Sequence, residues 1–387
     1  MKRVTWLVSA LIALGLAAPG AIAAVPAAAS GALMGGQLTI VPGPGVTLTV
    51  DGLPYAGDVV VAPGAGGIDV VNRVGFEQYL DGISEMPSNW PAAALQAQAV
   101  AARTYALWTV LTHPAGPGGG QICASDSCQV YRGLVKAQGP YGGNWVAAVR
   151  ATSGVVLQYQ SRIIESLYGS SDGGRTLAGG VPWLPAVDDP QDSIAPEHAW
   201  SWSAPLTSFA SALKVPTGQT LVSLVSSSQA ITETLQSSAG QRTTNGLSPD
   251  TFHALINANM AAPAKLDLPL PSYRYSVSTN GSQVEIAGAG DGDGLGMSQY
   301  GALGKAEDGW SAGQILGTYY RGSTAAALPT GEMPSTIGVI LHSGAATAAI
   351  GADGPVTVTG PTGAPMVRTT GPAGWIAAPS TAGILLR

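Results

Sequence analysis

One carboxylate in this sequence stands in a setting that suits acid–base chemistry. In Tyr79-Leu80-Asp81-Gly82-Ile83-Ser84-Glu85-Met86-Pro87, Glu85 lies near Ile83 and Met86, at the foot of a segment from Pro91 to Thr112 whose only charge is Arg103. Burial there disfavours the ionised carboxylate and keeps the group protonated near neutral pH, the state a general acid requires. The same residues allow a plainly structural reading, in which a half-buried Glu85 caps the helix or meets Arg103.

Other chemistry-bearing patterns fail on their surroundings. Gly169-Ser170-Ser171-Asp172-Gly173 fits G-x-S-x-G, with Asp188 and His198 following in hydrolase order. A nucleophile elbow needs a helix directly after the serine, and the glycine-rich run from Gly173 to Gly180 does not supply one. Ser211-Ala212-Leu213-Lys214 matches S-x-x-K with no K-T-G partner. The glycines from Gly288 to Gly296 alternate strictly, so no G-x-G-x-x-G dinucleotide fingerprint is present. Asp291 and Asp293 begin a calcium-loop pattern that breaks at its third ligand. Cys123 and Cys128 are the only cysteines. In an exported protein their expected state is a disulfide closing a small loop; a zinc site needs more ligands than nearby His113 offers. No metal and no cofactor is expected.

Composition narrows the partners. Only 10% of the residues are charged, against roughly 25% in an average soluble domain, while 45% are apolar, which argues against a charge-driven disordered chain. The formal net charge of −6, without clustered Lys and Arg, argues against a nucleic-acid partner. The 53 glycines and 28 prolines leave no room for long coiled coils or helical solenoids. At the N-terminus, Lys2-Arg3, the apolar run Val4 to Ala18 and then Ala21-Ile22-Ala23 follow the order of a secretory signal peptide. Pro19 and Gly20 stop the run short of the ~20 residues of a membrane span. The alternative is an uncleaved membrane anchor. No membrane association beyond this leader is expected, and the working part of the chain is read as secreted.

The elements that must position Glu85 follow from local patterns. Short β-branched runs between residues 37 and 72, separated by Pro and Gly, read as a β-meander. Pro91 to Thr112 reads as a helix, with proline in the first turn, and its poverty in charge makes it the buried central helix of the fold. Val155 to Gln160 with Ile163 to Tyr168, and Tyr273 to Ser278 with Gln283 to Ala287 about Asn280-Gly281, read as hairpins. A helix begins near Met297. Ser311 with Gln314 forms a capping box, which predicts another helix from about Ala312 to Tyr320. Trp183, Trp200 and Trp202, around Asp188, Asp189 and Asp192, read either as a sugar-stacking rim or as packing residues.

These residues carry a resemblance. Tyr79-Leu80-Asp81-Gly82 through Glu85-Met86-Pro87, Trp90-Pro91 and Ala94-Leu95-Gln96-Ala97-Gln98 through Arg103-Thr104-Tyr105-Ala106 resemble the signature of the SpoIID/LytB family. Further blocks agree in order: Cys123 with Cys128-Gln129-Val130-Tyr131, Tyr168 with Ser170-Ser171-Asp172-Gly173-Gly174-x-Thr176, and the glycine run ending in Gly296-Met297-Ser298-Gln299-Tyr300-Gly301-Ala302. The match runs from about residue 67 to 323. The resemblance implies an exported peptidoglycan enzyme, a lytic transglycosylase that cuts glycan strands lacking stem peptides, with Glu85 as the single acid/base. A lone carboxyl suffices because the muramoyl 6-hydroxyl, not water, attacks the oxocarbenium-like centre. The family's other branch implies a different role, a non-catalytic enhancer of a cell-wall N-acetylmuramoyl-L-alanine amidase.

Two departures accompany the resemblance. Asp293 stands where the family's glycine loop usually has His, and Gln96 where its helix usually has Lys. Ser127 occupies the place of a zinc-binding His in some relatives, so no zinc is expected. Asp293 is read as a second group that handles protons or raises the Glu85 pKa. Gln96, Arg103, Tyr105, Tyr168, Ser170, Ser171, Gln299 and Tyr300 are the expected substrate-binding residues, with Arg103 read also as a group that orients carboxylates or carbonyls. The expected partners are peptidoglycan glycan strands and, on the second reading, an amidase. Nothing separates sporulation from growth or division.

The fold class is then α+β, turn-rich, with mixed sheet elements around the buried helix and a glycan-binding cleft. Its expected divisions are a leader over 1–23, a β-meander over 24–66, a SpoIID/LytB-like domain over 67–323 and a Gly/Ala/Pro/Thr-rich β tail over 324–387. A disordered tail is the second reading of that last part.

Overall fold

The computed structural model describes residues 33–227, 230–329, 331–381 and 383–387. The expected leader lies outside these residues. Helices and strands are mixed throughout, an α+β architecture. Among the described residues no helix is long and apolar enough to cross a membrane.

Two antiparallel-rich sheets bring the ends of the chain together. In the seven-stranded sheet the order is Pro365–Arg368, Val356–Thr359, Leu38–Pro42, Asp58–Gly64, Gly67–Gly75, Thr336–Ala345 and Ile122–Cys123. The six-stranded sheet joins Leu33–Gly35, Leu48–Val50 and Leu53–Tyr55 to Ala348–Ala352, Ala373–Ser380 and Gly383–Leu386. Leu38, Ile40, Val59 and Val61 of the first sheet and Leu48, Val50, Ile350 and Ile384 of the second belong to one buried cluster, so both sheets are held by a shared apolar core.

Strand pairing crosses two of the expected divisions. Gly67–Gly75 pairs antiparallel with Asp58–Gly64 on one side and with Thr336–Ala345 on the other, so a boundary at 66/67 cuts a hairpin. Thr324–Ala327 pairs antiparallel with Val155–Tyr159, so a boundary at 323/324 separates that strand from its partner. The described C-terminal strands are paired with one another and with Leu38–Pro42. Short β-branched runs can bury their faces only by pairing, and the partner here lies hundreds of positions away, beyond the reach of local pattern.

The helix Ala92–Thr112 begins after Pro91 and buries residues on nearly every face, Ala94, Leu95, Ala97, Gln98 and Ala99 to Thr104 among them. Its alanines let four helices approach: Phe76–Asp81, Gly142–Ala151, Gln299–Glu307 and Ala312–Tyr319. The last starts at a Ser311/Gln314 capping box, and ends one residue before the expected Tyr320. The hairpin about Asn280-Gly281 forms from Tyr275–Asn280 and Gln283–Gly288. The other expected hairpin is shorter, because Val155–Tyr159 pairs only with Arg162–Ile163.

A second core was not foreseen. Trp200, Phe209, Leu221, Leu224, Ile231, Leu235, Phe252, Ile256, Val277, Val284 and Ile286 form their own apolar cluster. It sits under two three-stranded sheets and the helices Leu206–Ala212 and Pro249–Asn259, between the two glycine-rich loops. Trp200 and Trp202 belong here as packing residues: their indole N–H groups donate to Gly290 O and Pro269 O, and Trp202 stacks on Phe209.

Candidate functional site

Glu85 lies on a short loop that follows the helix Phe76–Asp81 and is held by a second loop, 124–132. Ile83 and Tyr131 form an isolated antiparallel bridge, Ser84 N donates to Val130 O at 2.8 Å, and Arg132 N donates to Gly82 O at 2.9 Å. Gly82 is required for this approach, since a Cβ there would strike the Tyr131 ring and Gly133 O. The second loop is closed by a disulfide between Cys123 and Cys128, whose Cα atoms are 5.5 Å apart.

The half-buried carboxyl of Glu85 is gripped by one oxygen only. Val130 N donates to Oε1 at 2.7 Å, and the Tyr168 hydroxyl lies 3.5 Å from the same atom. Oε2 has no hydrogen-bond partner among the described residues and is not a buried orphan, so it opens to solvent. The fixed oxygen orients the group while the free one is available to a ligand.

Gln129 ties this arrangement to the core. Fully buried, it accepts from Tyr79 Oη at 2.8 Å through Oε1 and donates through Nε2 to Tyr168 Oη at 2.8 Å and Ala102 O at 3.2 Å. Tyr168 in turn enters from a two-residue strand that runs parallel to Met297–Ser298. Helix, disulfide loop and first glycine loop are therefore linked at one glutamine. Its charge-free amide, which carries no acid–base signature, hid this role in the sequence.

Burial raises the Glu85 pKa above the ordinary carboxyl value, and the Asp126 charge adds to it; the bonds from Val130 and Tyr168 and the Lys136 ammonium oppose it. Lys136 is itself driven down to about 8 by desolvation, with Glu85 holding it up. Its ammonium donates to Met86 O and lies 5.6 Å from the Trp145 ring centroid, which fixes the loop just beyond Glu85.

Asp293 and Glu85 share no hydrogen bond among the described residues. Asp293 is exposed, accepts from Leu295 N at 3.1 Å, and its charge acts on Glu165, which also faces His113. Arg103 is not a ligand-facing group. It is fully buried, with Nε and Nη2 on the two Glu77 oxygens at 2.8 and 2.9 Å and further donors on Val149 O, Val155 O and Thr152 Oγ1. These partners match the reading of Arg103 as a group on carboxylates and carbonyls: a guanidinium inside a chargeless helix needs every donor filled. Glu85 does not meet it.

The remaining expected residues fall into neighbouring groups. Tyr105 shares electrostatic surroundings with both Tyr79 and Glu165. Gln96 lines a hollow of about 420 Å3 with Trp90 and Asn144, and Trp90 packs on Tyr300 at 5.1 Å between ring centres. Gln299 donates to Gln98 Oε1 at 3.5 Å inside the core. Ser170 bonds Asp291, whose pKa is raised by burial. Ser171 donates to Asp192 Oδ2 at 2.8 Å and is buried, which disposes of it as a nucleophile. His198 meets the same Asp192 oxygen at 2.9 Å, so the serine, aspartate and histidine do not form a relay toward the hydroxyl.

Asp192 also accepts from Ser298 Oγ at 2.7 Å, and Ser171 and Asp291 exchange backbone hydrogen bonds. One buried carboxylate thus clamps both glycine loops and sets the strand that delivers Tyr168. Asp189 beside it holds Lys305 and Tyr319. Among the described residues no His, Cys, Asp and Glu group is arranged to hold a metal ion.

Comparison with known proteins bears on the part of the chain that holds Glu85. A family model described as Stage II sporulation protein, SpoIID, matches residues 64–159. Stage II sporulation protein D of Bacillus subtilis is 28% identical over 145 residues, which cover 33% of this chain and 42% of that protein. An amidase enhancer of the same organism is 33% identical over 121 residues, 30% of this chain and 15% of that one. An uncharacterised protein of Brachyspira hyodysenteriae is 32% identical over 149 residues, 36% and 39% of the two chains. The chain spans less than half the length of the curated relatives it matches.

Proposed function

From the premise that this chain belongs to the SpoIID/LytB family, through a matched segment of residues 64–159, we propose that it is an exported peptidoglycan lytic transglycosylase with Glu85 as its single acid/base. The observation that carries this reading is the Glu85 carboxyl, held by one oxygen, free at the other, with burial raising its pKa above the ordinary carboxyl value.

The chemistry follows from that state. Protonated Glu85 donates its proton to the glycosidic oxygen as the bond to the muramoyl C1 breaks. The resulting carboxylate then removes the proton of the muramoyl 6-hydroxyl as that oxygen attacks C1, closing a 1,6-anhydro ring and restoring the acid. No water enters, so no second carboxylate is needed. The charge of Asp293 acts on Glu165, and the mechanism needs no proton from it. Tyr168, a donor to Glu85 in its ionised form, stabilises the carboxylate between the two proton transfers.

The test is to incubate the purified protein with glycan strands stripped of stem peptides. Mass spectrometry should find 1,6-anhydro-muramoyl ends; reducing ends instead would indicate hydrolysis and contradict the mechanism.

A second reading rests on the amidase enhancer among the relatives. On it the protein binds glycan strands or a cell-wall amidase and raises the amidase's rate without cleaving glycan. Amidase rates with and without the protein, alongside a pull-down, separate the two readings. An enhanced rate with no anhydro product favours the second.

A further inference from the structure

On the far side of the Glu85 loop lies a cavity of about 450 Å3, formed where the outer strands meet the disulfide loop. Its walls are the hairpin Leu48–Val50/Leu53–Tyr55, residues 124–132 and the strand Thr336–Ala345. Only the middle of these falls within the SpoIID match.

The cavity is built, not incidental. At the hairpin turn Asp51 has φ 48° and Gly52 φ 82°, the left-handed pair that an Asp-Gly two-residue turn favours. Asp51 Oδ1 accepts from Ala349 N at 2.8 Å while Oδ2 meets His342 Nε2 at 2.6 Å, so the turn is pinned to the C-terminal strands. The hairpin in turn docks on the loop beside Glu85: Leu134 N donates to Pro54 O at 2.8 Å. Gly133, with φ 55°, is needed there because a Cβ would strike Pro54 O and the Tyr55 ring.

Asp51 and His342 on the wall pair with each other, but three other polar groups lack partners among the described residues. Tyr55 is only 4% exposed and lines the cavity, yet its hydroxyl makes no hydrogen bond among the described residues and is not sealed from the cavity. An unpartnered phenol so deeply placed calls for a polar ligand atom. Arg132 and Asp126, both exposed on the wall, make no ion pair or side-chain hydrogen bond among the described residues. Leu53 and Leu341 supply apolar surface between these charges.

We propose that this cavity binds a short peptide bearing a free carboxylate and a free amino group, the carboxylate on Arg132 and Tyr55 and the ammonium on Asp126. A guanidinium with a phenol suits a carboxylate, and an isolated carboxylate suits an ammonium. The peptide stems of peptidoglycan have this chemistry, and the inference rests on the cell-wall reading for that identification alone. Asp126 and Val130 also act on Glu85, so an occupant here touches the same loop that holds the acid.

Isothermal titration calorimetry of the purified protein tests it with three probes: a free stem tetrapeptide, the same peptide acetylated and amidated at its charged groups, and a peptide-free glycan oligosaccharide. The free peptide should give saturable heat and the blocked peptide none. Arg132→Ala should weaken binding about tenfold or more, as expected for one charge-assisted bond, and Tyr55→Phe by a smaller factor. A chemical-shift change at the Arg132 Nε on adding peptide should accompany binding. Glu85→Gln should bind the peptide as the unaltered protein does, so a failed cleavage assay leaves this inference standing. No saturable heat from the free peptide, equal binding of the blocked peptide, or full affinity in both variants would overturn it.

Discussion

The backbone N–H of Val130 donates to Oε1 of Glu85 at 2.7 Å, across a separation of 45 residues. That bond leaves Oε2 free and fixes which face of the carboxyl a ligand meets. It also makes the placement of Glu85 depend on the 124–132 loop, so the loop's disulfide and its anchoring through Gln129 bear on the proposed acid/base.

Gln129 is the first point of test. Gln129→Leu keeps the volume and removes the amide, leaving the Tyr79 and Tyr168 hydroxyls without their buried partner. The expected cost is about 2 kcal/mol in a urea melt. Glycan cleavage should fall more than that instability explains, because Tyr168 is no longer aimed at Glu85; an unchanged rate would remove Gln129 from the site.

Glu85 should show its raised pKa in stability as well as in rate. In the unfolded chain the group ionises near 4.5, whereas the folded protein keeps its proton to higher pH. Stability is therefore present below that value and declines as pH rises through the folded pKa. Glu85→Gln removes the ionisation, so its melting temperature relative to the unaltered protein should climb with pH. A difference that does not vary with pH would show that burial has not raised the pKa.

Asp172 offers a second pH test away from the reaction. Burial first, then the charges of Asp189 and Asp192, push it from 3.8 to about 8, so it carries a proton at neutral pH. The folded state binds that proton when the unfolded chain has lost it, and stability falls as pH rises from 3.8 toward about 8. Asp172→Asn should gain on the unaltered protein across that window in denaturant melts at pH 5 and pH 8. A constant difference would contradict the buried carboxylate cluster.

The disulfide closes a loop between residues five apart, and replacing both cysteines by serine should cost about 2 kcal/mol by loop entropy. The functional expectation is sharper. Asp126, Gln129 and Val130 all sit in or beside that loop, so cleavage should fall while the far core around Phe209 and Phe252 is untouched. Intact activity in the reduced protein would separate the disulfide from the site.

Local chemistry made part of this molecule legible from sequence. Asn280-Gly281 announces its hairpin, Ser311 and Gln314 their helix start, and a nearly chargeless run the buried helix Ala92–Thr112. Glu85 stands out on the same local grounds, as a carboxyl in apolar surroundings. What failed to show were relations across the chain. The sequence suggests that Arg103 meets a carboxylate but not that the carboxylate is Glu77, 26 residues earlier. Asp293 occupied a suggestive position in the pattern, but its charge falls on Glu165. Val130 acts through a backbone amide, which has no residue signature, and Gln129 through an uncharged side chain. The core of residues 200–286 and the pairing of 33–75 with 336–387 depend on distant apolar faces that local periodicity does not match to each other.

The most direct measurement is the product spectrum of Glu85→Gln against the unaltered protein on stem-free glycan strands. Glutamine keeps the shape and the Val130 bond but cannot give or take the proton. The account predicts 1,6-anhydro-muramoyl products from the unaltered protein and a loss of about a hundredfold or more in the variant. Equal yields of those products from both proteins would contradict it.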